Sequence, residues 1–401
     1  MQTIFCYLIV YLHKKSSKVH KIGRYTKLTL LLLSMTTMMS NVAIVTMLPH
    51  LKNHFADVEN IEFLSRMMIT LPSLAIAFLA PFIGHFIHKI GKYVSAIAGL
   101  LLFSAAGSAG LYLQTIEELL FSRFLLGIAI GVLMIVTTSL IGDYFKGEAR
   151  HKYMGIQSLF ISFGGVFFVI GGGYLSDIDW RYPFGIYLVG LLLLPFAMKF
   201  LEEKATGQDE DEDIDLNTNI FMIYLLAFIL MLIFYILPTQ MPFLIINHFG
   251  ASGTLTGAII ALAFVSNGLG ALTFAKLKKY FSFATIYIIG MAIISIGFIL
   301  IGLVRNVDLF FFTSPIMGFG GGILMTNVSA WMLSKVHHTK RVKSSGYLTS
   351  SLFLGQFFSP IVFHPVVSYF GVQHFFVVTG ISLGSIVLVA GSYSKLKKGK
   401  N

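Results

Sequence analysis

Charge is what this sequence has least of. Only 12% of its 401 residues are Asp, Glu, Lys or Arg, about half the ~25% usual for a soluble domain. Hydrophobic residues make up 56%. A water-soluble globule has too little charge here to cover so much apolar surface, so a soluble enzyme or a disordered chain is excluded. Cysteine is almost absent too. The single Cys6 rules out an internal disulfide and a cysteine-based metal centre. The sequence lacks His-Glu-x-x-His, Gly-x-x-x-x-Gly-Lys-Ser/Thr and Gly-x-Ser-x-Gly, which argues against a metalloprotease, an ATP-driven pump and a serine hydrolase. No catalytic residue, metal or cofactor is expected.

What is present is length of apolar chain. About 20 apolar residues cross a bilayer as a helix, and twelve segments qualify: residues 27–49, 64–87, 93–113, 119–142, 153–175, 183–200, 220–246, 254–274, 285–304, 309–333, 346–369 and 372–393. The formal net charge of +11 does not form a nucleic-acid patch. Twenty-four of the 29 Lys and Arg fall in alternate connecting segments, four (Lys52, Arg66, Arg181, Arg305) on the other side, and Arg123 inside a span. Basic residues collect on the cytoplasmic side, so both termini are expected there. The first twelve residues are apolar but too short to cross and lack a basic start, so they do not read as a signal peptide.

Eight of the 18 acidic residues lie between Glu202 and Asp215. Such a run is solvated and cannot pack a core; it reads as a linker. The division expected is a cytoplasmic segment 1–26, a six-helix bundle 27–201, the acidic linker 202–219, a second six-helix bundle 220–394 and a basic tail 395–401. The two halves share residues at a constant shift of 191: Gly99 with Gly290, Gly127 and Gly131 with Gly318 and Gly322, Arg150 with Arg341, Gly155 with Gly346, Gly164 with Gly355, and Glu117 with Asp308. The fold class is therefore an all-α integral membrane protein, twelve transmembrane helices in two bundles related by a pseudo-twofold axis, with a central cavity between them.

Local motifs strengthen this reading. The loop after the second span is Gly84-His-Phe-Ile-His88-Lys89-Ile-Gly91-Lys92; the fourth span opens with Arg123-x-x-x-Gly127; the fifth ends in Gly172-Gly173 and is followed by Trp180-Arg181-Tyr-Pro-Phe184. Together these resemble the major facilitator superfamily, specifically its exporters of drugs and metabolites, over about residues 27–393. His88 stands where the family has an acid, and Phe168 and Val169 replace the Gly-Pro of the exporter motif. The resemblance implies a secondary active transporter working by alternating access, with a cytoplasmic gate formed by Gly84, His88, Lys89, Gly91, Lys92, Asp143 and Arg150. With His88 unable to carry negative charge, Asp143 becomes the acid available to Lys89, Lys92 or Arg150.

A guanidinium inside a membrane is costly unless it faces a cavity or a partner. Arg123 either lines the transport path or snorkels to backbone carbonyls at the helix end. No carboxylate lies centrally in any span, and His364 is a titratable group available there. The remaining cavity candidates are uncharged: Thr37, Asn41, Gln157, Tyr235, Gln240, Asn267, Asn327 and Gln356, each of which instead serves as glue between helices if it finds a partner. Gly127, Gly131, Gly164, Gly172, Gly173 and Gly355 are expected at helix contacts. The expected function is efflux of a small organic solute across a bacterial cytoplasmic membrane by a monomer, with protons as a candidate coupling ion. An importer of organic anions, favoured by an unpaired Arg123, and a multispan membrane enzyme are the alternatives.

Overall fold

The structure, a computed structural model, describes residues 23–145, 147–202, 218–336 and 341–398. These residues form helices and no strands. Eleven of the helices are long and apolar enough to cross a membrane. In chain order the helices are α1 (Arg24–Val42), α2 (Leu48–His54), α3 (Ile61–Ile90), α4 (Lys92–Ser108), α5 (Ile116–Tyr144), α6 (Gly147–Ile178) and α7 (Val189–Phe200). The second half follows as α8 (Thr218–Phe234), α9 (Ile236–Pro242), α10 (Gly253–Lys278), α11 (Phe283–Leu303), α12 (Phe310–Lys335), α13 (Arg341–Phe370) and α14 (Val372–Lys398).

The first passage, expected over 27–49, is divided. α1 ends at Val42, a turn follows at Ala43 and Ile44, and the chain re-enters helix as α2 with a proline in its first turn. The seventh passage breaks at Tyr235 between α8 and α9, again 191 residues beyond Ile44. Proline at 238 and 242 leads that segment into a wider helical turn over Phe243–His248, because each proline removes a backbone donor.

The contacts of the glycines repeat as well. A Cβ at Gly127 would strike Pro72, and one at Gly318 would strike Ala263. Gly131 faces Ile76 and Ile83, and Gly322 faces Asn267; Gly99 faces Leu133, and Gly290 faces Leu324. Pro72 and Ala263, Ile76 and Asn267, Leu133 and Leu324 are each separated by the same 191 residues. In lipid, helices associate through close backbone approach rather than hydrophobic exclusion, so a repeated glycine contact is a repeated helix crossing. Gly355 lies against Phe228 and Met231 of α8, as Gly164 lies against Met35 of α1.

The halves meet toward the end that carries Glu62, Asp177 and His364. Two crossings join them there, α3 with α13 and α6 with α10. Away from that end α6 exposes Leu159 and Phe163, and α10 exposes Leu269 and Leu272.

Candidate functional site

Glu62 and Arg66 stand four apart on α3 and so share a face. Glu62 lies in the first helical turn, where the helix dipole favours a carboxylate. Lys52, at the end of α2, pairs with Glu62. Arg66 is fully buried, and its Nη1 is 3.5 Å from Glu62 Oε2. It then reaches across to the other half. Its Nε donates to Gln240 Oε1 at 3.1 Å, its Nη1 lies 3.5 Å from His364 Nδ1, and its guanidinium sits 4.4 Å from the Phe243 ring. The Phe63 ring packs on His364. Arg66, which the charge pattern groups with the outer connecting segments, lies more than a turn into α3, because that helix begins at Ile61. The signal was legible as an acid and a base spaced i, i+4 at the head of an apolar run.

Further along the same two helices, Ser73 Oγ donates to Gln356 Oε1 at 2.7 Å and Ser350 Oγ to the Ala77 carbonyl at 3.3 Å. The second crossing closes on glycine. A Cβ at Gly173 would meet the Gly253 carbonyl, and one at Gly257 the Val169 carbonyl. Asp177 completes this junction by accepting from the Thr254 amide at 2.8 Å and from the Gly253 amide. A carboxylate of one half thus caps the helix start of the other, satisfying amides that have no partner inside α10. Burial pushes the nearby His50 imidazole below its ordinary value, and the Asp177 charge acts in the opposite sense.

Arg123 is also fully buried, but its partners belong to its own half. Its Nη2 donates to the carbonyls of Ala106 at 3.1 Å and Gly107 at 2.7 Å. These are among the last carbonyls of α4, which no later turn of that helix can satisfy. The Phe184 and Tyr187 rings lie 4.8 and 5.1 Å from its guanidinium. Gly107 and Gly110 leave room for those rings, since a Cβ at either would collide with Tyr187 or Phe184. Arg123 Nε and Nη1 are buried without a hydrogen-bond partner among the described residues. The guanidinium reaches the backbone carbonyls inside the bundle rather than by snorkelling outward.

Several of the other cavity candidates are partnered between helices. Gln157 Nε2 donates to Ser34 Oγ at 2.9 Å and Asn327 Nδ2 to the Phe283 carbonyl at 3.1 Å, whereas Thr37 Oγ1 donates within α1 to the Ser34 carbonyl at 2.7 Å. Gln240 and Gln356 bind across the halves as described. Tyr235 is buried at the break between α8 and α9, within electrostatic reach of Tyr187 in the other half. Asn267 packs beside Gly321 and Gly322. At the basic end, Lys92 Nζ lies 2.6 Å from Asp143 Oδ2, while Lys89 is exposed and Gly91 takes φ 94° between α3 and α4. The side chains of Asn41, His88 and Arg150, and Gly84, lie outside the described residues.

Comparison with known proteins agrees with this architecture. The family model described as the Major Facilitator Superfamily matches residues 30–220 and 223–400. Multidrug resistance protein 1 of Bacillus subtilis is 27% identical over 303 residues, 71% of this chain and 75% of that protein. The quinolone resistance protein NorA of Staphylococcus aureus is 29% identical over 139 residues, 34% of each. Among solved structures, a bacterial homologue of the human lysosomal transporter Spinster, in an inward-facing and occupied conformation, superposes with a TM-score of 0.75 at 16% identity, covering 95% of this chain and 97% of that one. The nucleoside transporter NupG superposes at 0.74 with 13% identity, covering 91% and 99%. With a family match spanning both halves of the same duplicated bundle, this chain belongs to the major facilitator superfamily.

Proposed function

We propose that the protein exports small amphipathic organic compounds across a bacterial cytoplasmic membrane in exchange for protons. Its basic end and both termini face the cytoplasm, and the end joined by Arg66 and Asp177 faces outward. The bundles divide near 27–201 and 220–394, and a single chain suffices. The observation that carries the reading is the similarity to a multidrug resistance protein along most of both chains. The interior supports it. Thr37, Gln157, Tyr235 and Asn267 are uncharged, and Met35 and Met38 on α1 add pliable apolar surface suited to solutes of varied shape. Arg123 bonds to backbone carbonyls of its own half, so no observation favours an anion importer.

The test is purified protein in liposomes under an imposed pH gradient, with ethidium as the probe and lumenal pH followed in parallel. Dye movement linked to proton flux is the expected result. Dye that equilibrates equally well without a gradient would replace antiport by facilitation.

We assign the gate at the basic end to Lys92 and Asp143, both largely buried. Exchanging the carboxylate for a neutral amide weakens this buried, charge-assisted contact by about 2 kcal/mol, so Asp143→Asn is expected to slow transport roughly thirty-fold. The amount of protein in the membrane should stay unchanged. Wild-type dye efflux from cells carrying the variant would remove Asp143 from the gate.

A further inference from the structure

The cluster at the joined end contains a feature that the antiport reading does not explain. One of the groups through which Arg66 bridges the halves, His364, changes charge with protonation. Its Nη1 lies against His364 Nδ1 at 3.5 Å. A guanidinium is donor-only and always charged, so this contact forms only when Nδ1 offers a lone pair. That requires neutral imidazole with its proton on Nε2. A proton added at Nδ1 turns an acceptor into a donor and sets two cations face to face. On its own side Arg66 is held by Glu62, which Lys52 shares. Among the described residues, the ionisable groups acting on His364 are Arg66 and Glu62 of α3. The neighbouring α9 and the turn after it contribute Gln240 and Phe243, neither of which titrates. His364 is only partly buried, so a proton can reach it.

We propose that His364, with Arg66 and Glu62, is a proton-binding site that latches the two halves together when deprotonated and releases them when protonated. The inference rests on the antiport reading and names where its proton acts. One proton enters at Nδ1 and the Arg66–His364 hydrogen bond is lost; the Arg66–Gln240 and Asp177 bonds across the halves part in the opening that follows. Acidification of the outer face therefore releases the latch, and an alkaline face keeps it shut. The deeper contact of Ser73 with Gln356 has no titratable member and is not part of the switch. A second candidate for acid sensitivity at this end is His50 beside Asp177, and it needs its own control.

The experiment places spin labels at positions 59 and 369, both exposed, in a Cys6→Ser background, and measures their distance in lipid at about pH 8 and about pH 5.5, on either side of the imidazole range. In otherwise wild-type protein, acid should shift the population to a longer distance. His364→Gln can still accept from Arg66 but cannot take the proton, so its short distance should persist at both pH values. Glu62→Gln removes a carboxylate that favours the protonated imidazole, so it should open only at lower pH than wild type. His50→Gln should respond to acid as wild type does. Matching elution and melting of each variant confirm that it is folded.

An acid response retained in His364→Gln, or absent from the wild type, would overturn the latch, as would a response abolished equally by His50→Gln. Ethidium transport in the same liposomes separates the two claims. Dye that ignores every gradient overturns antiport while the distances still decide the latch. Gradient-driven dye with acid-insensitive distances overturns the latch alone.

Discussion

Gly322→Ala is expected to destabilise the second half by about 3 kcal/mol, the upper part of the range for forcing extra volume into a packed interior. The added methyl has no space: it would run into the carbonyl of Asn267 on α10. A backbone oxygen cannot swing aside as a side chain can, so α12 and α10 must separate. Separation also strains the neighbouring contact of Gly318 with Ala263 on the same helix pair. The repeat supplies an internal comparison. Gly131, 191 residues earlier, would place its methyl 3.0 Å from the terminal carbon of Ile83, which can rotate away, so Gly131→Ala should cost less than about 1 kcal/mol. Gly155 has nothing within 4 Å and serves as a neutral control. Thermal unfolding in detergent should show Gly322→Ala melting roughly 8 °C lower, with the other two near wild type. Equal melting of Gly322→Ala and Gly155→Ala would mean that α10 and α12 are not in backbone contact.

Arg123→Ala is the second large effect expected, and it separates two ideas about this arginine. Two opposing terms decide its sign. Removing a buried cation relieves a desolvation cost. Against that, two carbonyls at the end of α4 lose a charged donor, about 1.5–3 kcal/mol for each such hydrogen bond. Two aromatic faces also lose their cation, up to about 2 kcal/mol in a dry site. The carbonyls stay buried after the mutation, with no water to replace the donor, so the net change should be a loss of about 3 kcal/mol. Lysine should rescue only in part, since a single ammonium lacks the planar fork that meets Ala106 and Gly107 together. Melting temperature and dye efflux should therefore fall together in Arg123→Ala. Unchanged melting with abolished efflux would return Arg123 to the transport path and refute the packing role.

Both effects concern residues that stood out in the sequence, yet only one could be interpreted there. Gly322 entered through the 191-residue repeat, and the repeat recurs in the contacts of Gly99, Gly127 and Gly131 and of their counterparts. Arg123 was visible as a charge in a span, but its partners were not, because the Ala106 and Gly107 carbonyls are anonymous in sequence. Arg66 shows the same limit more sharply. Its neighbours Gln240 and His364 come from the other half, 174 and 298 residues away, and Asp177 finds the Gly253 and Thr254 amides beyond α7, α8 and α9. The uncharged candidates divided likewise: Gln157, Asn327 and Gln356 each hold a neighbouring helix.

The sequence by itself determined that this chain resides in lipid, that it crosses the bilayer many times and that it is a duplication, since those properties reside in local composition and in spacing along the chain. Tertiary structure alone decided which way each polar group points. In a soluble helix the apolar stripe marks the buried face. A helix surrounded by hydrocarbon is apolar all round, so its rotation, and with it the partners of Arg66, Arg123 and Asp177, is set by close packing between helices rather than by any periodicity the residues carry.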